Sequence, residues 1–117
     1  MPNEQNHTCK TDVLQGTLDL MILRLLAAIG PQHGYAIAHR LEQVSEGAIQ
    51  LNMGTLYPAL LRLEQRGHLR AKWQRTENNR RARFYAVTDA GRCQLEIEKA
   101  SWVRMAGFMQ RLLTENL

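Results

Sequence analysis

Leu14, Leu18, Met21, Ile22, Leu25, Leu26 and Ile29 recur at the three- and four-residue spacing of one buried helix face. They predict a first helix from about Asp12 to Ile29. Leu20 and Leu23 lie off that stripe, and only Asp19 and Arg24 are charged after Leu18. A helix apolar on nearly all sides needs cover on nearly all sides, here from another helix or a second subunit. Gly30-Pro31 ends it. Tyr35, Ile37, Ala38, Leu41 and Val44 then mark a second helix from about Gly34 to Val44 or Ser45, with Gly47 at its exit.

The next segment, LNMGTLYPALLRLEQRGHL, is helical in spacing yet holds Pro58 inside the pattern. A proline loses nothing in a first turn, where backbone N–H groups have no carbonyl partner. Pro58 therefore predicts a helix start near Thr55, with Asn52 and Thr55 as capping side chains. At about 100° per residue, Leu56, Leu60 and Leu63 share the core side. Thr55, Pro58, Arg62, Gln65 and Arg66 fall opposite, and Tyr57 and Leu61 on a flank. The positive helix N-terminus and this outward cationic stripe suit a polyanion.

After Gly67 the period shortens to two. Leu69 to Gln74 alternates as a half-buried strand, Arg75 to Arg81 is a polar turn, and Ala82 to Val87 reads as a second strand. The resulting hairpin carries Arg80, Arg81 and Arg83 on its tip and outer face. Thr88 to Gly91 caps a last helix running to about Leu113. There Leu95, Trp102 and Met109 are seven apart, Met105 and Leu112 fill the alternate positions, and Ala106 and Leu113 lie beside them. Such a seam needs a partner, and the first helix of the same or a second chain is the expected one.

Three helices followed by a basic hairpin is the order of a winged helix-turn-helix. The expected fold is mainly α with a small β-hairpin, plus a long C-terminal helix. Its organisation is a flexible tail over 1–11, a winged domain over 12–88 and a dimerisation helix over 89–117. In this arrangement the third helix enters a major groove, and the hairpin, with Arg80 and Arg81 at its tip, lies over phosphates or reaches the minor groove.

Charge sharpens the expectation. The chain has a net charge of +4 and a pI near 9.5. From Arg66 to Arg83 there are seven lysines and arginines against one acid, Glu77, and the remainder is slightly acidic. A local field of one sign points to double-stranded DNA more firmly than the total does. A winged-helix protein-interaction module that does not bind DNA is the alternative.

Chemistry of other kinds finds little support. Cys9 and Cys93 form no CxxC pair and read as reduced thiols of a cytoplasmic protein. The start of the chain has no apolar signal segment, and Leu20 to Ile29 is too short to span a bilayer. His7, His33, His39 and His68 complete no ligand set, so neither metal nor cofactor is expected. No nucleophile–base pair or phosphate loop suggests an enzyme. The acids read mostly as solvated helix faces.

LQGTLDLMILRLLA, GPQHGYAIAHRLEQ, LNMGTLYPALLRLEQRGHL, RRARFYAVTDAGR and ASWVRM together resemble the PadR family of bacterial transcriptional regulators. The likeness covers Leu14 to about Leu113, with Val87 where the last motif has leucine. It implies a homodimeric repressor of the short subgroup, usually controlling a nearby transporter or detoxification gene. It places Thr55 and Tyr57 in a major groove, with Asn52 and Pro58 beside them; Tyr57 is otherwise a packing residue against the second helix. Arg62, which the helix spacing projects outward, meets a base or a phosphate. Tyr35 is a phosphate donor or a packing residue, and Lys72, Arg80, Arg81 and Arg83 are the cations of the wing. The resemblance also implies a dimer interface of Leu18, Ile22, Leu95, Trp102, Met109, Leu112 and Leu113. In some relatives the matching tryptophan stacks flat aromatic drugs, which makes Trp102, Met105 and Met109 a candidate effector pocket.

Overall fold

The first helix owes its position to its excess of leucine. In a computed structural model, which describes residues 15–117, α1 spans Gln15–Ile29. The expected tail, Cys9 and the part of the expected first helix from Asp12 to Leu14 lie outside the described residues. Leu18, Ile22, Leu23 and Leu26 are fully buried. Leu23 is covered although it lies off the main stripe, because α1 runs through the middle of the domain. Gly30 ends the helix at φ 86°, a left-handed conformation that glycine adopts without steric cost, and its N–H donates to the Leu26 carbonyl at 3.0 Å.

Two residues, Gln32–His33, form a short strand β1. The helix α2, Gly34–Val44, starts at once, with the Ala36 N–H donating to His33 Nδ1 at 3.3 Å. After a loop anchored by Leu51, α3 spans Met53–Gln65. Asn52 caps it, accepting from the Thr55 N–H at 2.9 Å. The helix therefore begins two residues before Thr55, and Pro58 is its sixth residue rather than part of its first turn. This corrects the expected start. The missing N–H of Pro58 leaves the Gly54 carbonyl without its helical donor. Gly54 is exposed, so water can serve it.

Leu56, Leu60 and Leu63 face the core as their spacing requires. The chain leaves α3 through Gly67, at φ 80°, and the His68 N–H closes the end onto the Leu63 carbonyl at 2.9 Å. Strands β2, Leu69–Arg75, and β3, Arg81–Val87, form the hairpin. Asn79 takes the left-handed conformation, φ 60°, at its turn. The sheet has three strands, in the order β1-β3-β2, all antiparallel. The additional strand β1 is invisible to an alternation test because two residues carry no period.

The last helix, α4, spans Asp89–Thr114. The Gly91 N–H donates to Thr88 Oγ1 at 3.0 Å, and that hydroxyl donates to the Gly67 carbonyl at 2.6 Å. The Thr88 N–H donates to the His68 carbonyl at 3.1 Å. The start of α4 is thus tied to the end of α3. Gly91 and Leu95 are the only buried residues of α4. Around α1 stand α2, α3, β3 and the first half of α4, all from the same chain.

That arrangement corrects part of the expected dimer surface. Leu18, Ile22 and Leu95 are at most 5% exposed within one chain, so they fill its own core and cannot meet a partner directly. A helical stripe says that a face is covered, not by which chain. Trp102, Met109, Leu112 and Leu113 stay exposed.

Candidate nucleic-acid interface

Strand register sorts the cations of the wing by parity. Leu69 pairs with Val87, Ala71 with Tyr85, Trp73 with Arg83 and Arg75 with Arg81, so these eight share one face. Near the core the face is apolar, with Leu69 and Tyr85 buried; toward the tip it turns cationic and aromatic. Arg83 Nη2 donates to Glu64 Oε2 at 2.6 Å, bracing the wing on α3. The Arg83 guanidinium also lies 5.9 Å from the centre of the Tyr85 ring. Burial pushes the Tyr85 phenol above its usual range, the Arg83 charge opposes this and Glu64 adds to it, so the phenol stays neutral near pH 7.

A cleft of about 640 Å³ opens between this face and the helix pair. Tyr35 at the start of α2, Tyr57 on α3, and Arg80, Arg81 and Arg83 of the wing all line it. Tyr35 and Tyr57 are exposed. A Cβ on Gly34 would lie 3.0 Å from the Tyr57 hydroxyl oxygen, so the glycine lets Tyr57 lie close against the head of α2. Arg80 has no side-chain partner among the described residues; its N–H is fixed by Thr76 Oγ1 at 3.3 Å. The cleft thus combines phenol hydroxyls with uncompensated guanidinium groups, donors suited to phosphate oxygens.

Five of the expected residues meet here, and others do not. Arg62 does not project outward: Nη2 and Nε donate to the Asp19 carboxylate on α1, at 2.6 and 3.4 Å. Arg66 approaches the same carboxylate at 3.6 Å. Asp19 is 5% exposed, an exception among acids that read mostly as solvated; burying a carboxylate requires such partners. Lys72 pairs with Phe84 on the opposite face of the wing, away from the cleft. Asn52 and Thr55 are exposed at the head of α3, where Thr55 Oγ1 donates to Asn52 Oδ1 at 3.3 Å. Pro58 is exposed in a neighbouring hollow with Leu61 and Glu64. Asp19→Ala leaves the Arg62 guanidinium partly buried without its partner. It is expected to lower unfolding free energy in urea by about 2 kcal/mol; an unchanged midpoint would show that the pair contributes nothing net.

A separate hollow of about 580 Å³ lies between α1 and α4, with Trp102 and Met105 in its lining and Asp19, Arg66 and Glu98 as its charged groups. Met109 is not part of that lining.

The sequence profile of the Transcriptional regulator PadR-like family matches residues 22–97, which holds α2, α3, the wing and the start of α4. The chain belongs to the PadR-like family.

Other PadR-like proteins have the same architecture. A PadR-family transcriptional regulator from Eggerthella lenta is 30% identical, with 87% of this chain and 86% of that one covered and a TM-score of 0.72. A PadR-like transcriptional regulator from Bacillus cereus is 25% identical, with 88% and 97% covered and a TM-score of 0.75. A curated relative, a 37.1 kDa protein of transposon TN4556 from Streptomyces fradiae, is 44% identical over 92 residues. This chain spans only a quarter of that relative's length, though the match takes in 78% of the chain itself. The PadR-like family is one of transcriptional regulators, not of enzymes. No described helix is long and apolar enough to cross a membrane.

Two residues of this PadR-like site were not foreseen from sequence. Glu64 carries no sign of a partner in the sequence, yet it braces Arg83. Trp73 was read as part of a half-buried strand, yet it is 58% exposed on the cationic face, beneath Arg81. Its parity with Leu69 and Ala71 was the available signal: the core ends before residue 73, and the strand carries the same face outward.

Proposed function

We propose that this chain is a homodimeric, sequence-specific DNA-binding repressor. The N-terminal half of α3 enters the major groove with Thr55 and Tyr57. Asn52 and Pro58 border the contact, and the wing sets Arg80 and Arg81 on backbone phosphates. The observation that carries this reading is the cleft, where residues from α2, α3 and the wing turn hydroxyls and unpaired guanidinium groups toward one space. Family membership supports it, because the family's members are regulators of transcription. Arg62 and Lys72 are left out of the contact set, since one is engaged with Asp19 and the other faces away. Tyr35 donates to a phosphate at the edge.

Two α3 helices spaced about one helical turn apart would read a roughly palindromic operator. The exposed apolar stripe of α4 supports pairing with a second copy. Met109 and Leu112 are already about half buried within one chain, so covering what remains of each contributes roughly 1 kcal/mol, and the larger Trp102 adds to this. The hollow beneath Trp102 and Met105 is proposed to take a flat aromatic effector, with the cytoplasm as the place of action.

The test is duplex binding at rising salt. Replacing both Arg80 and Arg81 by Ala removes two phosphate contacts per wing. It should reduce the slope of log K against log salt by roughly 2 per protomer. An unchanged slope sinks the wing assignment, and absence of duplex binding by the parent chain favours a protein-interaction module instead.

A further inference from the structure

Arg75 and Arg81 stand directly opposite each other near the tip of the wing. Like charges so placed repel, and both side chains must be drawn aside. Arg75 turns back on the loop, its Nη1 donating to the Asn79 carbonyl at 3.1 Å and to Asn79 Oδ1 at 3.4 Å. Arg81 turns the other way, and its guanidinium carbon sits 5.2 Å from the centre of the Trp73 ring. Trp73 is the diagonal cross-strand neighbour of Arg81, within reach of a long side chain.

We propose that Trp73 is a positioning residue of the wing: its indole holds the Arg81 guanidinium at the mouth of the cleft, where it meets a phosphate of the bound duplex. The proposal rests on the DNA-binding reading above and adds a residue to it. Trp73 lines the cleft beside Arg81, Tyr35 and Tyr57. It is more than half exposed, so core packing does not account for it.

The nature of the restraint matters. Arg62 and Arg83 are held by carboxylates, which orient them and cancel their charge. Arg81 has no acidic partner among the described residues. An aromatic face attracts the cation through its quadrupole and adds no counter-charge. Arg81 therefore loses rotamer freedom before the anion arrives yet keeps its full charge for it. Ordering a long side chain in advance lowers the entropy lost on binding. At a wing tip rich in arginine, an acid in place of Trp73 would hold Arg81 equally well and weaken its use.

The experiment compares the parent chain with W73A, W73F, R81A and W73A/R81A on one fixed random-sequence duplex across a salt series. W73A is expected to weaken binding by roughly threefold to fivefold per wing. Its salt slope should lie between those of the parent and R81A, since a freely rotating Arg81 meets its phosphate only part of the time. W73A/R81A should match R81A, because Trp73 acts through that arginine. W73F keeps an aromatic face and should fall between parent and W73A; it serves as the test if W73A fails to fold. Additive effects of W73A and R81A, or parental affinity and slope in the folded tryptophan variant, overturn the proposal. In that case flattening by the Arg80 and Arg81 double substitution leaves the DNA-binding reading standing. A parent chain that binds no duplex overturns both.

Discussion

Met109→Glu is expected to leave the chain monomeric and to weaken duplex binding by roughly two to four orders of magnitude. Met109 lies on the stripe of α4 that also holds Trp102, Met105 and Leu112, all exposed in a single chain. In a paired seam the new carboxylate would be buried against apolar side chains, twice per dimer by symmetry. The penalty for an unpaired buried ion is several kcal/mol. A monomer offers one α3 and one wing, and loses the gain from binding two linked half-sites at once. The single-chain core contains no part of Met109, so helical content and the folding of the winged domain should survive. Sedimentation velocity reads the mass, and mobility shift reads the affinity. A variant that stays dimeric with parental affinity would remove α4 from the proposed interface.

Gly91→Ala is expected to destabilise the domain by about 3 kcal/mol or more, although alanine is the better helix former by about 1 kcal/mol. The reason is contact with backbone. A Cβ at Gly91 would overlap the His68 carbonyl oxygen and lie 2.8 Å from Val87 Cγ2. That carbonyl cannot swing aside freely, since it accepts from the Thr88 N–H, and Thr88 Oγ1 holds the Gly67 carbonyl beside it. The substitution forces α4 away from the end of α3. The melting temperature should fall by more than about 10 °C. A variant melting at or above the parent would mean that helix propensity outweighs the close approach. Lifting α4 at its root would also misplace the seam, so self-association should weaken together with stability.

Much of this site was legible because helices of amphipathic sequence declare their faces. The spacing of Leu56, Leu60 and Leu63 orients α3, and the change of period after Gly67 announces the wing. The arginines near its tip were visible as a charge run. The spacing points Arg62 outward, but 100° per residue gives an angle and no neighbour. Its outward reading required that nothing stand on that side, and α1 brings Asp19 there. Lys72 was grouped with Arg83 by charge, whereas cross-strand register sends them to opposite faces. The sequence places the start of α3 two residues late, because a proline is expected where it costs no hydrogen bond. An exposed helix start tolerates the loss, because solvent can reach the Gly54 carbonyl.

What the sequence determined by itself is local and periodic: the helices, the hairpin, the core leucines and the cationic stretch. These follow from backbone geometry, which repeats every few residues, and from the separation of apolar from charged side chains. Only the tertiary structure decided pairings between distant residues: Asp19 with Arg62, Glu64 with Arg83, β1 with β3, and Gly91 beneath the His68 carbonyl. Each depends on two segments meeting at contact distance, and no period in a single segment encodes the position of the other. The same physical fact turned Leu18, Ile22 and Leu95 from candidate interface into core. It also left Trp102, Met109 and Leu112 as the part of that stripe still uncovered.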